Sequence, residues 1–520
     1  MSSRLLFLAQ LSVLAAACST APRWPHPVTP LDQLPWPVAP AFAPCTPPPG
    51  PALPALPAQT GRLRVENAVR LLPAGVVTTL DIVAVTSGGV FDPMAQGVLT
   101  LDLQGRGDVV EVTPLRDGRA VARILLSSNG PVSLGLRAGA VTGVSPLVVY
   151  ETRLPVWELT VDQVRLDGLA GTPHENRRLP ARLTVEGIEY DTTVRLHGGT
   201  SRDYPKKSFR FDLAEGRQLG GRRAVILRGE WNDKTMLRNW LAHEVFRQGT
   251  WLPTPETRYV HFRLNGRYYG LMLQVERIDR AFLASRGLDP EGDLYESDPP
   301  LGGRVGDMTP LPADQYAVVY DRHAGAADHA HLRRLIEEVL TLDAGAFEAA
   351  LPREVAVDDL LVYLAGMAVV QNHDHVRKNY YLYRAPSPPR GWVVLPWDLD
   401  LTFGHLWNEG QDVLGEQITA DADPFVGALI TGQGQHNVLI ERVLAYPELR
   451  ARMVAMAHRL AATVMAPGAL DARIDQALCD IMPDLAADER KRASNAEYAA
   501  RLDEIRRFVA ARGAVLRALR

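Results

Sequence analysis

The sequence predicts an α+β protein in two folded parts, a small all-β sandwich followed by a larger mixed domain that ends in helices. Three observations predict it. Short alternating apolar and polar runs recur between Gly61 and about Tyr150, strand-like and helix-like stretches mix from about Pro155 onward, and from about Asn437 to Arg520 Ala, Leu, Arg and Glu recur with helical spacing. With 520 residues, 46% of them apolar, the chain can bury a sizeable core and exceeds one ordinary domain.

The formal charge of −4, with acidic and basic residues interspersed, gives no electrostatic footing for nucleic acid, and that partner class is set aside. Residues 1–17 read as a secretory signal peptide: Arg4, an apolar run from Leu5 to Leu14 too short to cross a bilayer, then small residues. "LAAAC", ending at Cys18, resembles a bacterial lipobox, although its leucine stands four residues before the cysteine instead of three. Lipidation of Cys18 would make the membrane a partner through a lipid anchor only, at the cell envelope; ordinary secretion or a periplasmic location is the alternative. Cys45 and Cys479 then remain. A bridge between them suits export but has no support in the sequence, and two cysteines are too few for a structural cysteine zinc site.

Residues 18–60 are rich in proline and alanine ("PPPGPALPALPA"), a composition that favours extended conformations and reads as a spacer between anchor and body. Residues 61–152 carry "TLDIVAV", "GVLTLDLQG", "AVARILLSS", "VSLGLRAG" and "PLVVYET", the rhythm of a small antiparallel sandwich of immunoglobulin-like kind. No catalytic cluster stands in it.

Residues 153–520 change texture. "ARLTVEGIEYDTTVRLHG" reads as a hairpin turning at Glu186 and Gly187, followed by a glycine loop, "HGGTSRDYPKKS", and a strand, "SFRFDL". A helix is predicted from Asp233, a good N-cap residue, through "KTMLRNWLAHEVFRQ". "TRYVHFRLNGRYYGLMLQVERI" reads as a second hairpin around Asn265 and Gly266. A helix, "VDDLLVYLAGMAVVQ", then leads into a polar loop, a strand "YYLYR", a proline-rich turn and a strand "WVVLP" ending in "WDLD"; residues 437–520 form a helical extension.

The polar loop carries the chemistry. Phosphoryl transfer from ATP needs a carboxylate to orient the attacking hydroxyl and oxygen ligands for Mg²⁺ on the phosphates, and protein kinases supply them as H-R-D-x-x-x-x-N, two short strands and a metal-binding aspartate. Here His373 precedes Asp374, Asn379 stands five positions later, two short strands follow, and Asp398 and Asp400 come next. Upstream, the loop at Gly198 and Gly199 is placed to cover phosphates, Lys206 or Lys207 to pair with them, and Glu244 to pair with that lysine. Glu276 reads as a salt-bridge partner or a residue near the adenine edge, and Trp397 as core beside the site.

"RLHGGTSRDYPKKSFRF", "DKTMLRNWLAHEVFR", "YVHFRLNGRYYGLMLQVERID" and "QNHDHVRKNYYLYR…WDLDLTFG" resemble, in order, the signature blocks of the CotH kinase family, over roughly Leu159 to Arg520. The resemblance implies an atypical protein-kinase-like fold that binds ATP with Mg²⁺ or Mn²⁺ and transfers phosphate to protein side chains. It implies Asp374 as the catalytic aspartate, Asn379 as a metal ligand and Asp398 or Asp400 as the other. His197 stands where the commoner glycine block has arginine, while Thr200 and Ser201 keep its hydroxyls.

Three other readings stay open. "HDH" offers His373 and His375 to a transition metal in a hydrolytic enzyme, although a role in orienting the loop suits His375 better. A surface binding or adhesion protein on the same fold would suit export and a sandwich module. Transfer of AMP in place of phosphate would use the same residues. The protein substrate is not named by any motif.

Overall fold

The computed structural model describes residues 23–38, 45–47, 56–67, 70–300, 303–386, 390–405, 418–422 and 437–519. The signal segment and Cys18 lie outside them. The N-terminal module is two facing sheets. One orders β1 (Thr60–Gly61), β9 (Val141–Tyr150), β8 (Gly130–Ala138) and β5 (Leu99–Asp102), with β3 (Leu71–Pro73) alongside β9. The other orders β2 (Leu63–Val65), β4 (Val77–Ala84), β7 (Arg119–Leu126) and β6 (Gly107–Val112). Inward residues such as Leu80, Ile82, Ala122, Ile124, Leu134 and Leu147 make one core between the sheets, which is why these strands alternate in sequence.

A seven-stranded closed barrel follows: β10 (Val156–Val161), β11 (Leu179–Val185), β12 (Ile188–Leu196), β13 (Phe209–Leu213), β14 (Ala224–Arg228), β16 (Arg267–Val275) and β15 (Thr257–Leu264), with β15 returning parallel to β10. Both predicted hairpins are present. Val185 pairs with Ile188 across Glu186 (φ 49°) and Gly187 (φ 84°), and Leu264 with Arg267 across Asn265 (φ 49°) and Gly266 (φ 79°), the paired left-handed turn that a two-residue hairpin requires. The second tip rests on the sandwich, where Arg267 meets Asp81 at 2.6 Å and the Gly266 carbonyl accepts from Thr79 at 3.3 Å.

The predicted helix begins later than Asp233. Met236 takes a left-handed φ of 56°, so residues 233–237 close a turn in which Asp233 accepts from the backbone of Thr235 and Arg238. The helix itself, α1, is Arg238–Gly249. Beyond the barrel, α2 (Val357–Val370) packs behind a four-stranded sheet ordered β18 (Tyr320–Ala324), β17 (Asp293–Ser297), β19 (Tyr380–Arg384) and β20 (Val393–Pro396). The helical extension is α3 (Val438–Leu444), α4 (Pro447–Ala462), α5 (Ala469–Ala487) and α6 (Asn495–Ala518), the last opened by a capping box between Ser494 and Glu497. All of these share one large apolar core with α1 and the four-stranded sheet.

The proline-rich segment is not a free spacer over its described part. Trp24, Leu31, Leu34 and Trp36 pack against that core; the Trp24 ring meets Tyr446 edge-on at 5.3 Å and Trp36 meets Trp251 at 4.9 Å. Cys45 is bonded to Cys479 of α5, the bridge for which the sequence offered no support. Aromatic residues set among the prolines supply the docking surface that the proline content alone does not suggest.

Candidate active site

β19 and β20 place the polar loop and the "WDLD" turn next to each other, because Tyr380 pairs with Pro396 in register. Asn379 (φ 62°) and Asp398 (φ 53°) both sit in the left-handed region, a conformation that costs free energy in non-glycine residues and is held by the surrounding structure. The Asn379 amide donates to Asp374 Oδ2 at 2.6 Å, and Lys378 Nζ stands 3.2 Å from the same oxygen. The Asp374 backbone N–H donates to Asn372 Oδ1 at 2.8 Å, which fixes the loop. Burial raises the Asp374 carboxyl above its ordinary value, and Lys378 opposes the rise.

Asp398 and Asp400 face β14. Arg228, the last residue of that strand, puts Nη1 2.5 Å from Asp398 Oδ1, Nη2 3.4 Å from Asp400 Oδ2 and Nε 3.2 Å from Glu230 Oε1. The Asn232 amide donates to Asp400 Oδ2 at 2.9 Å. Burial and the neighbouring Asp398 push the Asp400 carboxyl up to about 7. For Lys378, burial opposes the charge, yet Asp374, Asp398 and Asp400 together outweigh it and push the ammonium up to about 12. Asp374, Asp398, Asp400, Glu230, Asn232, Asn379, Lys378 and Arg228 therefore form one polar cluster.

The end of the glycine loop lies near this cluster. Its Arg202 feels the charge of Asp298 and its Tyr204 that of Asp400 and Lys378, and Tyr204 stacks near Trp231 at 5.0 Å. Gly198 (φ 101°) is folded so tightly onto Ser201 that a Cβ there would meet the Ser201 hydroxyl. Thr200 and Ser201 open a short turn over Thr200–Asp203, and Gly199 faces open space.

The lysine pair is placed differently from the sequence expectation. Lys206 is 1% exposed and points inward, its Nζ held by Asp488 Oδ2 at 2.6 Å and by the Leu271 carbonyl at 2.5 Å. A buried ammonium needs such partners, and Asp488 lies just beyond α5, in a segment with no local pattern that marks it. Lys207 donates through Nζ to the Arg202 carbonyl at 2.6 Å and braces the loop from within. Glu244 pairs with neither lysine; on α1 it is held by Arg247 at 2.5 Å and by Arg473 and Gln248. Glu276 is a buried salt-bridge partner of Arg222 and Arg286, with its Oε2 also accepting from the Glu256 backbone at 2.9 Å. Trp397 packs edge-on against Tyr381 at 5.5 Å beside the site.

Arg228, Glu230, Asn232 and Lys378 are the site residues that sequence reasoning missed. Lys378 was legible, four residues from Asp374 in the same loop; Arg228 closes an ordinary apolar strand and carried no signal. Among the described residues, only Glu296, Asp321 and His323 bring three metal-ligating atoms within 4.8 Å of one another, a set that includes neither His373 nor His375. Arg277 stands 3.1 Å from His323 Nδ1. Arginine can only donate, so Nδ1 accepts, the His323 proton lies on Nε2, and that nitrogen faces the carboxylates as a donor.

The family profile described as CotH kinase protein matches residues 194–516, from β12 through the glycine loop and both halves of the site into α6. The chain is 28% identical over 303 residues to the inner spore coat protein H of Bacillus subtilis (strain 168), covering 58% of this chain and 79% of that protein. Among solved structures, a Shewanella oneidensis MR-1 toxin–antitoxin complex of HipA, HipB and operator DNA (15% identity, 68% of this chain and 77% of that one) has a TM-score of 0.23. The Escherichia coli adhesin FdeC (16% identity, 33% and 65%) has one of 0.16. Neither value bears on fold or function. A profile that runs through the glycine loop, the Asp374–Asn379 loop, the Asp398–Asp400 turn and the helical extension makes this chain a member of the CotH kinase family.

Proposed function

We propose that this protein is an exported kinase that transfers the γ-phosphoryl group of ATP to side-chain hydroxyls of a protein substrate, with Asp374 as its catalytic aspartate. The observation that carries the reading is the Asp374–Asn379 hydrogen bond, brought beside Asp398 and Asp400 by the pairing of β19 with β20. Asn379 and Lys378 both engage Oδ2, which leaves Oδ1 to accept the proton of an incoming hydroxyl. Lys378 opposes the rise that burial causes in that carboxyl.

The residues fit a hard divalent cation. Asp398, Asp400 and the Asn379 side-chain oxygen are hard ligands of the kind Mg²⁺ and Mn²⁺ take, and the two aspartates converge on one cationic group, Arg228. When bound, such an ion supplies neutralisation of the phosphate oxygens. The loop at Gly198, Gly199, Thr200 and Ser201 offers small residues and hydroxyls to the phosphates, braced by Lys207 and by Tyr204 beside Trp231. The signal segment, lipidation at Cys18, the immunoglobulin-like kinship of the sandwich and the boundaries at 61–152 and 153–520 belong to the same reading. Membership of a family that includes a spore coat protein supports a surface or extracellular setting, and no helix among the described residues is long and apolar enough to cross a membrane.

The test uses the chain from Trp24 onward with Mg²⁺ or Mn²⁺, generic protein acceptors, and ATP labelled on the γ or the α phosphate, with Asp374→Ala as control. Asp374-dependent γ label on protein establishes the kinase. Transfer of the α label would mean nucleotidyl transfer, and no transfer with no ATP binding by calorimetry would leave a surface-binding protein on this fold.

A further inference from the structure

Arg228 is a cation of this cluster to which the phosphotransfer reading gives no task. Its side chain is only 12% exposed and meets three carboxylates, two of which are the acidic metal ligands of that reading. Asp398 and Asp400 are thus already engaged by a cation supplied by the chain, while Lys378 engages Asp374 at 3.2 Å. An arginine guanidinium is charged at any working pH, and three carboxylates surround this one. A bare divalent ion approaching these aspartates meets that fixed positive charge and has to displace it without offering it another partner. A metal–nucleotide differs, because its phosphate oxygens match the arginine fork and can take the guanidinium as the metal takes the carboxylates.

The backbone next to Arg228 ties it to the loop that would lie over those phosphates. A Cβ on Gly229 would stand 2.8 Å from the Lys206 carbonyl oxygen and 3.0 Å from that of Lys207, so β14 ends in direct contact with the base of the glycine loop. The Gly229 N–H also donates to the Ser208 hydroxyl at 2.9 Å.

We propose that Arg228 is a built-in counter-cation that makes divalent-metal binding at Asp398 and Asp400 conditional on a polyphosphate ligand. The guanidinium holds the two aspartates until phosphate oxygens give it a new partner. This inference rests on the phosphotransfer reading and specifies its binding order.

The test measures Mn²⁺ binding by electron paramagnetic resonance, with and without a non-hydrolysable ATP analogue, on the wild-type chain, Arg228→Met and Arg228→Lys. Circular dichroism checks that each variant is folded. Wild type is expected to bind Mn²⁺ at least about tenfold more tightly with the analogue than without it, and by linkage to bind the analogue more tightly with Mn²⁺ by the same factor. Arg228→Met is expected to bind Mn²⁺ alone about tenfold more tightly than wild type while losing analogue affinity, and Arg228→Lys to stay close to wild type in metal binding. Equal Mn²⁺ affinity with and without analogue in wild type overturns the proposal, as does a folded Arg228→Met whose affinity for Mn²⁺ alone is unchanged or weaker. Should Arg228→Met fail to fold, the wild-type comparison still decides. If wild type binds neither Mn²⁺ nor the analogue, the phosphotransfer reading fails and takes this inference with it; if it binds both independently, only this inference fails.

Discussion

Lys206 Nζ lies 2.6 Å from Asp488 Oδ2 with both side chains fully buried, an ion pair that joins the base of the glycine loop to the end of α5 across 282 residues. Breaking one partner of such a pair strands a charge. Lys206→Met is therefore expected to lower unfolding free energy by about 3–5 kcal/mol in urea titrations, and Lys206→Met with Asp488→Leu by much less. If Lys206→Met instead leaves stability intact and abolishes ATP binding, Lys206 faces phosphate after all.

Asn379 holds Asp374 from a backbone conformation that disfavours a Cβ. Asn379→Gly should retain the fold, since glycine adopts that φ without strain, yet lose on the order of 10²-fold or more in phosphotransfer rate as Asp374 loses its anchor. Single-turnover kinetics beside a thermal melt would check this; unchanged turnover by a folded variant removes Asn379 from the machinery.

His243 predicts an acid-sensitive fold. Buried on α1, with Nδ1 donating to the Asn239 carbonyl at 2.8 Å, it is pushed down by burial to about 4, against about 6.5 in an unfolded chain. Because the folded value is the lower one, the unfolded state takes up the proton first. Stability present above pH 6.5 is lost as pH falls toward 4, by at most about 3 kcal/mol for this residue. Urea midpoints at pH 7 and pH 4.5 should converge more closely in His243→Gln than in wild type; an identical acid loss in the two proteins would assign it to other groups.

The Cys45–Cys479 bridge fastens the N-terminal segment to α5. Reduction, or Cys45→Ser, should cost about 2–4 kcal/mol and expose residues 23–38 to proteolysis. Dithiothreitol should add nothing to the Cys45→Ser variant. A melting temperature unaffected by reduction would mean that the packing of Trp24 and Trp36 holds the segment without the bridge.

By itself the sequence determined whatever is local. The two-residue hairpin turns follow from Gly187 and Asn265–Gly266, glycine and asparagine being the residues that take left-handed φ at least cost; the alternating strands and helical extension follow from side-chain period; and the Asp374-to-Asn379 loop with Asp398 and Asp400 follows from short-range spacing around β19 and β20. Tertiary structure alone decided the partners of charges distant in sequence. Lys206 and Glu244 suit a phosphate-side ion pair by spacing, but their charges are satisfied by Asp488 and by Arg247 and Arg473, and Arg228 reaches Asp398 and Asp400 from a strand 170 or more residues earlier. The reason is that burial obliges every charge to find a counter-charge wherever the packed chain supplies one, and that choice is fixed by the closing of the barrel onto the helical extension, which no local pattern encodes.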